Sequence, residues 1–276
     1  MIRLSAFADE ISADPVEQLD VLERHGIRHV EFRSIEGINV LDLSHDQHER
    51  FRDLLRSRGV GLSALGTPLG KITILDPFDP HMARLETALD LADFYGTPRL
   101  RVFSFYVPEG VDRVHVRPEV VRRMKAMADR AEARGIALYL ENEKGIYGDT
   151  APRVFDLLQA VGTPSLSCAF DPANFLEVGQ DIDEAWSMLR PKVLHFHVKD
   201  YDLATRKNVP AGAGSGQIPR LIADAVTHGY DGFCTLEPHL LVAEKSHGFT
   251  GPERFGEAAD ALKAGLRSLG VPFDSN

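Results

Sequence analysis

Cysteine, positive charge and long apolar runs are what this 276-residue chain has little of, and each scarcity excludes something. Its two cysteines, Cys168 and Cys234, each stand three residues before an acidic residue that closes an apolar run. Three steps along a strand reverse the face, so both thiols point away from those carboxylates and are expected to be buried and reduced. No uninterrupted apolar stretch approaches the ~20 residues that a membrane helix requires. No early basic-then-apolar segment reads as a secretion signal, and a cytoplasmic protein is expected. Lys and Arg number 31 against 41 Asp and Glu, a formal charge of −10 that disfavours a broad nucleic-acid footprint. The Gly-x-Gly-x-x-Gly turn of a dinucleotide site does not follow the first strand-like run, which weakens the case for an open doubly wound sheet. No Ser/Gly/Pro-rich linker interrupts the chain, and one domain spanning 1–276 is expected.

Strand-like runs alternate with amphipathic segments throughout. Strands are predicted at 2–7, 29–33, 61–66, 99–105, 136–141, 165–171, 192–198 and 232–237. Helices are predicted at 15–25, 46–58, 79–95, 118–134, 152–161, 182–189, 218–228 and 253–269. The first helix has Asp14 as N-cap, Pro15 at its first position and Gly26 as its stop. Eight βα units of about 30 residues match a closed (β/α)8 TIM barrel in number and length.

The run 193–200, Val-Leu-His-Phe-His-Val-Lys-Asp, puts His195 and His197 on one strand face. Three other strands end in Glu141, Asp171 and Glu237. In a barrel all four strand ends lie on the face where this architecture does its chemistry. A single strand-end acid is ordinarily a helix cap or surface group, and a single strand histidine a core residue. Recurrence at four consecutive strand ends points instead to one divalent cation held by Glu141, Asp171, His197 and Glu237, because neighbouring carboxylates repel unless a cation or a proton intervenes. Three carboxylates and one imidazole suit Mn²⁺ or Mg²⁺, with Co²⁺ able to substitute and Zn²⁺ also accommodated. His195, one pleat deeper, is either a partner of that shell or a core residue.

Glu143 shares a face with Glu141. It is read first as a substrate contact, with proton acceptance or pairing with a basic neighbour as alternatives. Lys199 is in phase with His197 and could reach a carbonyl or anionic group over the metal, while His239 is a weaker rim candidate for substrate binding. Glu31, Arg33 and Arg101 alternate with apolar neighbours and are expected to form an interior ion network before serving any substrate. The Gly212-Ala213-Gly214-Ser215-Gly216 run precedes a helix, where its amides could cradle phosphate or simply close a turn.

Leu140-Glu141-Asn142-Glu143, Phe170-Asp171-Pro172-Ala173-Asn174, His197-Val198-Lys199-Asp200 and Gly229-Tyr230-Asp231-Gly232 with Leu236-Glu237-Pro238 resemble the sugar phosphate isomerase/epimerase family of the xylose isomerase-like barrel superfamily. Glu31-Phe32-Arg33 and the run 101–105 resemble one branch of it. The resemblance implies that Glu141, Asp171, His197 and Glu237 bind one divalent metal, Mn²⁺ by preference, and that Glu141 and Glu237 also act as acid and base. Glu143 departs from the histidine that many relatives carry there, which puts the substrate in doubt.

The resulting expectation is a metal-dependent isomerase or epimerase of a keto sugar or polyol, working through an enediolate. The alternative is a dehydratase or lyase that acts on a keto-inositol or keto-glycoside by β-elimination. An apurinic endonuclease is disfavoured, because the runs 64–67 and 103–105 contain no histidine and Asn174 stands where such nucleases carry one. A non-catalytic sugar-binding barrel is the remaining alternative. No nucleic-acid or membrane partner is expected, and a homo-oligomer is compatible with the sequence.

Overall fold

Alternation of polar and apolar residues along the strands builds the fold in the computed structural model, which describes residues 1–240 and 250–274. The eight main strands are β1 (Arg3–Ala6), β2 (His29–Phe32), β3 (Gly61–Leu65), β4 (Arg99–Val102), β5 (Ala137–Glu141), β6 (Leu166–Phe170), β7 (Val193–Val198) and β8 (Phe233–Leu236). They close a barrel in the order β1-β8-β7-β6-β5-β4-β3-β2, so the expected (β/α)8 architecture is present. Apolar Leu4, Val30, Leu100, Leu138, Cys168, Phe196 and Cys234 alternate with Ser5, Glu31, Arg101, Tyr139, Ser167, His195 and Thr235, and all are buried. Two buried faces of different polarity leave the second set to satisfy itself by hydrogen bonds.

By its internal contacts the chain divides into two units, Met1–Ser63 with His195–Asn276, and Ala64–Leu194. In the first, β1 runs parallel to β8 with Leu4 opposite Cys234 and Ser5 opposite Thr235. There β8 pairs in turn with β7, Thr235 opposite His197. In the second, β4 pairs with β5 and β5 with β6, which sets Glu141 opposite Ala169. Both cysteines are free and buried, as expected, and burial pushes both thiols up.

The helices of the first unit include α1 (Pro15–Arg24) and α2 (His45–Arg58). Asp14 caps α1 through Val16 N, with Pro15 at the first position. Ser44 and Gln47 form a reciprocal capping box on α2, which ends at Gly59 in the left-handed region. In the second unit α3 (Asp79–Tyr95) is followed by α4 (Arg113–Glu132), α5 (Ala151–Val161), α6 (Pro172–Glu177) and α7 (Ile182–Leu189). Helix α4 begins five residues before the expected start at Pro118, because Asp112 caps it through Val114 N. Pro118 therefore sits inside the helix, and the carbonyl it cannot bond belongs to the exposed Val114. The short α6 is an element that the sequence reading lacked. Strand β4 also stops earlier than expected, since Phe103 N and Phe105 N donate to Leu69 O and Gly70 O of the preceding loop. Gly70 permits that approach: it has φ +91°, and a Cβ there would collide with the Phe103 carbonyl. The last helices, α8 (Ile218–Thr227) and α9 (Pro252–Ser268), belong to the first unit. Among the described residues no helix is long and apolar enough to cross a membrane.

Candidate active site

In the unit made by Met1–Ser63 and His195–Asn276, the polar strand face carries a buried histidine pair on one carboxylate. Glu31 Oε2 lies 2.8 Å from His195 Nε2, and Glu31 Oε1 lies 3.3 Å from His197 Nε2. Thr235 Oγ1 is 2.8 Å from the same His195 nitrogen. His195 is thus a core residue and a partner of Glu31 at once. Burial pushes the Glu31 carboxyl up, but the two imidazoles outweigh it and hold it well below the ordinary carboxylate range. A carboxylate at one ring nitrogen orients an imidazole to present the other, and His197 Nδ1 faces Glu237 Oε2 at 3.9 Å. The Phe7 ring packs edge-on against His197 at 5.2 Å between centroids and fixes the imidazole plane.

Glu237 stands one residue beyond β8 and gathers cations. Arg33 Nη1 donates to its Oε1 at 2.8 Å, His239 Nε2 lies 3.3 Å from Oε1, and Lys199 Nζ lies 3.8 Å from Oε2. Burial raises this carboxyl, yet Lys199, His239 and His197 together hold it well below the usual range. Arg33 spans two further carboxylates, with Nε at 2.7 Å from Asp9 Oδ2 and Nη2 at 3.1 Å from Glu10 Oε1. Glu10 is fully buried, and its Oε1 also meets His239 Nε2 at 3.0 Å. Burial lowers the His239 imidazole, but Glu10 and Glu237 reverse that and push it up to about 9. Glu31 with His195 and His197, and Glu10 with Glu237 and His239, are groups whose ligand atoms lie within 4.8 Å of one another and could hold a metal ion.

The unit Ala64–Leu194 carries the other two predicted ligands. Glu141 ends β5, with Arg101 Nη1 3.3 Å from its Oε2 and Asn174 Nδ2 donating to its Oε1 at 3.4 Å. Asp171 follows β6 and caps α6, its Oδ1 accepting from Asn174 N at 3.0 Å. Asn142 clasps the Asp171 backbone, donating to its carbonyl at 2.9 Å and accepting from its N–H at 3.0 Å. Glu143 accepts a 2.8 Å hydrogen bond from Lys71, whose ammonium lies 4.3 Å from the centre of the Phe103 ring. Pairing with a basic neighbour is therefore what its surroundings provide.

The expected ion network exists, but its three members serve different centres: Glu31 the histidines, Arg33 the Glu237 corner and Arg101 Glu141. The glycine run offers no phosphate cradle. Asp200 already accepts from Gly212 N, Gly214 N and Gly216 N at 2.8, 3.1 and 2.8 Å, so this loop closes on a carboxylate of its own chain. Sequence reading missed Asp9 and Glu10, although Phe7-Ala8-Asp9-Glu10 repeats after β1 the strand-end acidic signature used for the later strands. It also missed the positioning amides Asn142 and Asn174, and Lys71, which no periodicity marks.

The chain belongs to the xylose isomerase-like TIM barrel family, whose model matches residues 19–265. It is similar to a 3-dehydroshikimate dehydratase of Bacillus anthracis, with 23% identity over 254 residues that cover 89% of this chain and 87% of the dehydratase. Among solved structures it resembles a xylose isomerase-like TIM barrel protein of Mycobacterium smegmatis in complex with magnesium, with TM-score 0.69, 19% identity and coverage of 96% and 97% of the two chains. It also resembles a D-allulose 3-epimerase of Methylomonas sp., with TM-score 0.73, 17% identity and coverage of 96% and 98%. Both structural likenesses concern the fold.

Proposed function

We propose that Glu141, Asp171, His197 and Glu237 hold one divalent cation, Mn²⁺ by preference with Mg²⁺, Co²⁺ or Zn²⁺ able to replace it, in a cytoplasmic single-domain lyase that removes water from a small hydroxylated ketone. The single observation that carries the lyase reading is the similarity to a dehydratase over 89% of this chain. Strand order supports the ligand set, since β5, β6, β7 and β8 are successive in the barrel and each contributes one residue at or beside its C-terminal end. The donor types suit a hard cation, and among the described residues none donates a hydrogen bond to the buried Glu237 Oε2. A likeness to a magnesium-bound barrel of the same family is consistent with this.

Held by these four residues, a divalent ion would supply Lewis acidity toward a ketone oxygen, which would make the adjacent C–H more acidic. Glu141 or Glu237 then takes the α-proton, the electron pair forms the new carbon–carbon double bond, and the β C–O bond breaks. His239 or Lys199, gathered beside Glu237, gives the departing hydroxyl the proton with which it leaves as water. Arg33 and Glu31 keep Glu237 and His197 in place. Glu143 with Lys71 contacts substrate hydroxyls, one accepting and the other donating.

A second reading keeps the same proton abstraction but returns the proton to carbon, giving an isomerase or epimerase of a keto sugar. It is favoured by the presence of two glutamates, Glu141 and Glu237, on different strands, and by a shared fold with a D-allulose epimerase. Incubation of the metal-supplemented protein in D₂O with 3-dehydroshikimate, keto-inositols, keto-glycosides and ketoses, followed by NMR, separates the two. A dehydrated product is expected. A deuterated epimer or isomer without loss of water would replace the lyase by the second reading, and an unchanged, undeuterated panel would contradict both.

A further inference from the structure

Glu10 lies in the turn after β1, is fully buried, and has no role in the four-residue ligand set. Its carboxylate is a hub. Oε1 receives Arg33 Nη2 at 3.1 Å and faces His239 Nε2 at 3.0 Å. Oε2 accepts from Thr250 Oγ1 at 2.6 Å and from the backbone N–H of His239 at 3.2 Å. The Glu10 carbonyl accepts from Thr250 N and Gly251 N at 3.1 and 2.8 Å. One side chain therefore grips His239 by both ring and backbone, and the same residue anchors 250–251.

His239 needs that grip, because it has φ +47°, a left-handed conformation that costs a non-glycine residue free energy and persists only when its surroundings impose it. In this conformation its Nε2 comes within 3.3 Å of Glu237 Oε1. Arg33 bridges the same two carboxylates, fixing the spacing between hub and target.

We infer that Glu10 is a positioning residue that holds the His239 ring and backbone beside Glu237, so that the imidazole stands in place on that side of the site. That the His239 ring takes part in turnover, the catalytic half, rests on the proton-transfer reading above. The positional half does not.

A double-mutant cycle tests it. Asn tolerates the left-handed region, so His239→Asn removes the ring while keeping the backbone shape, and Glu10→Gln keeps the size of the hub while removing its charge. On the ketone that the panel shows to be turned over, His239→Asn is expected to lower kcat about 100-fold, the lower range for a general acid or base, with little change in KM. Glu10→Gln should lower kcat about tenfold, and the double variant should be no slower than His239→Asn alone. Losses that multiply in the double variant, or an unchanged kcat in Glu10→Gln, would overturn the inference. The positional half is read without turnover, from the ¹H–¹⁵N signals of the His239 imidazole in metal-free protein. Glu10→Gln should move them clearly and Thr250→Val less, whereas unmoved signals in Glu10→Gln refute the grip. If those signals move while the panel yields only epimers, the lyase reading fails and the positioning role stands.

Discussion

Asp171 and Glu237 each stand one residue past a barrel strand, and different contacts hold them. Asp171 is fixed by amides close in sequence or on the next strand: Asn174 N caps onto its carboxylate at 3.0 Å, and Asn142 clasps its backbone at 2.9 and 3.0 Å. Glu237 is fixed by charge, including Arg33, which lies 204 residues earlier in the chain. Glu237, with Arg33, His239 and Lys199 around it, is held ionised by its neighbours. On this contrast we propose ligation for Asp171 and ligation together with proton transfer for Glu237.

The largest expected effect follows from that assignment. Glu141→Gln and Glu237→Gln keep the side-chain size and one ligating oxygen but remove basicity, and turnover corrected for bound metal should fall about 10²- to 10⁴-fold. In D₂O one of the two variants should still exchange substrate hydrogen without completing turnover, which would identify the base. Full metal-corrected turnover in both would move proton transfer to Lys199 or His239.

Stability sharpens the contrast at the next level. Arg33→Met takes the guanidinium from the buried carboxylates of Asp9, Glu10 and Glu237, and breaking a buried ion pair by removing one partner costs about 3–5 kcal/mol. Asn174→Ala removes amide hydrogen bonds to Asn142 O and to the Glu141 carboxylate, and about 1–2 kcal/mol is expected. Denaturant unfolding measures both, and equal losses would erase the distinction between the charged and the amide-held corner.

A buried group held neutral gives the smaller, pH-dependent effect. His81 is buried and its Nε2 accepts from Gly70 N at 2.9 Å, while burial, Arg123 and Arg84 lower its imidazole from 6.5 to about 4. Below pH 6.5 the unfolded chain binds this proton before the folded one does. The contribution is therefore whole above pH 6.5 and is lost as pH falls toward 4, by at most about 3 kcal/mol. His81→Gln keeps an acceptor for Gly70 and does not titrate, so its stability should lack this part of the acid slope. Identical slopes in the variant and the parent protein would exclude His81 as the cause.

Much of this was legible in the sequence because it is local. Strand alternation, the Asp14 cap and the strand-end acids Glu141, Asp171 and Glu237 are each encoded within a few residues, as is the placement of His195 and His197 on one face. Helix α6 has its own local signal, since Asp171-Pro172 is a cap followed by a first-position proline, but the same Asp171 also closes a strand and fits the acidic strand-end pattern. Pro118 resembles a helix start in sequence, but Asp112 supplies the cap. The Glu10 hub could not be read at all: Thr250 joins it from 240 residues away, and no periodicity records such a meeting. The same holds for Lys71, whose pairing with Glu143 spans 72 residues.

The central claim is that four strand ends share one divalent cation. Calorimetric titration of metal-free protein with Mn²⁺ tests it most directly, run on the parent chain and on Asp171→Ala and His197→Ala. One ion per parent chain is expected. Each variant should remain folded by circular dichroism yet bind with an affinity reduced by more than the about 10- to 100-fold that loss of an outer-sphere partner costs. Parent-like titrations in both variants would contradict the ligand set, and with it the metal-dependent chemistry assigned to this barrel.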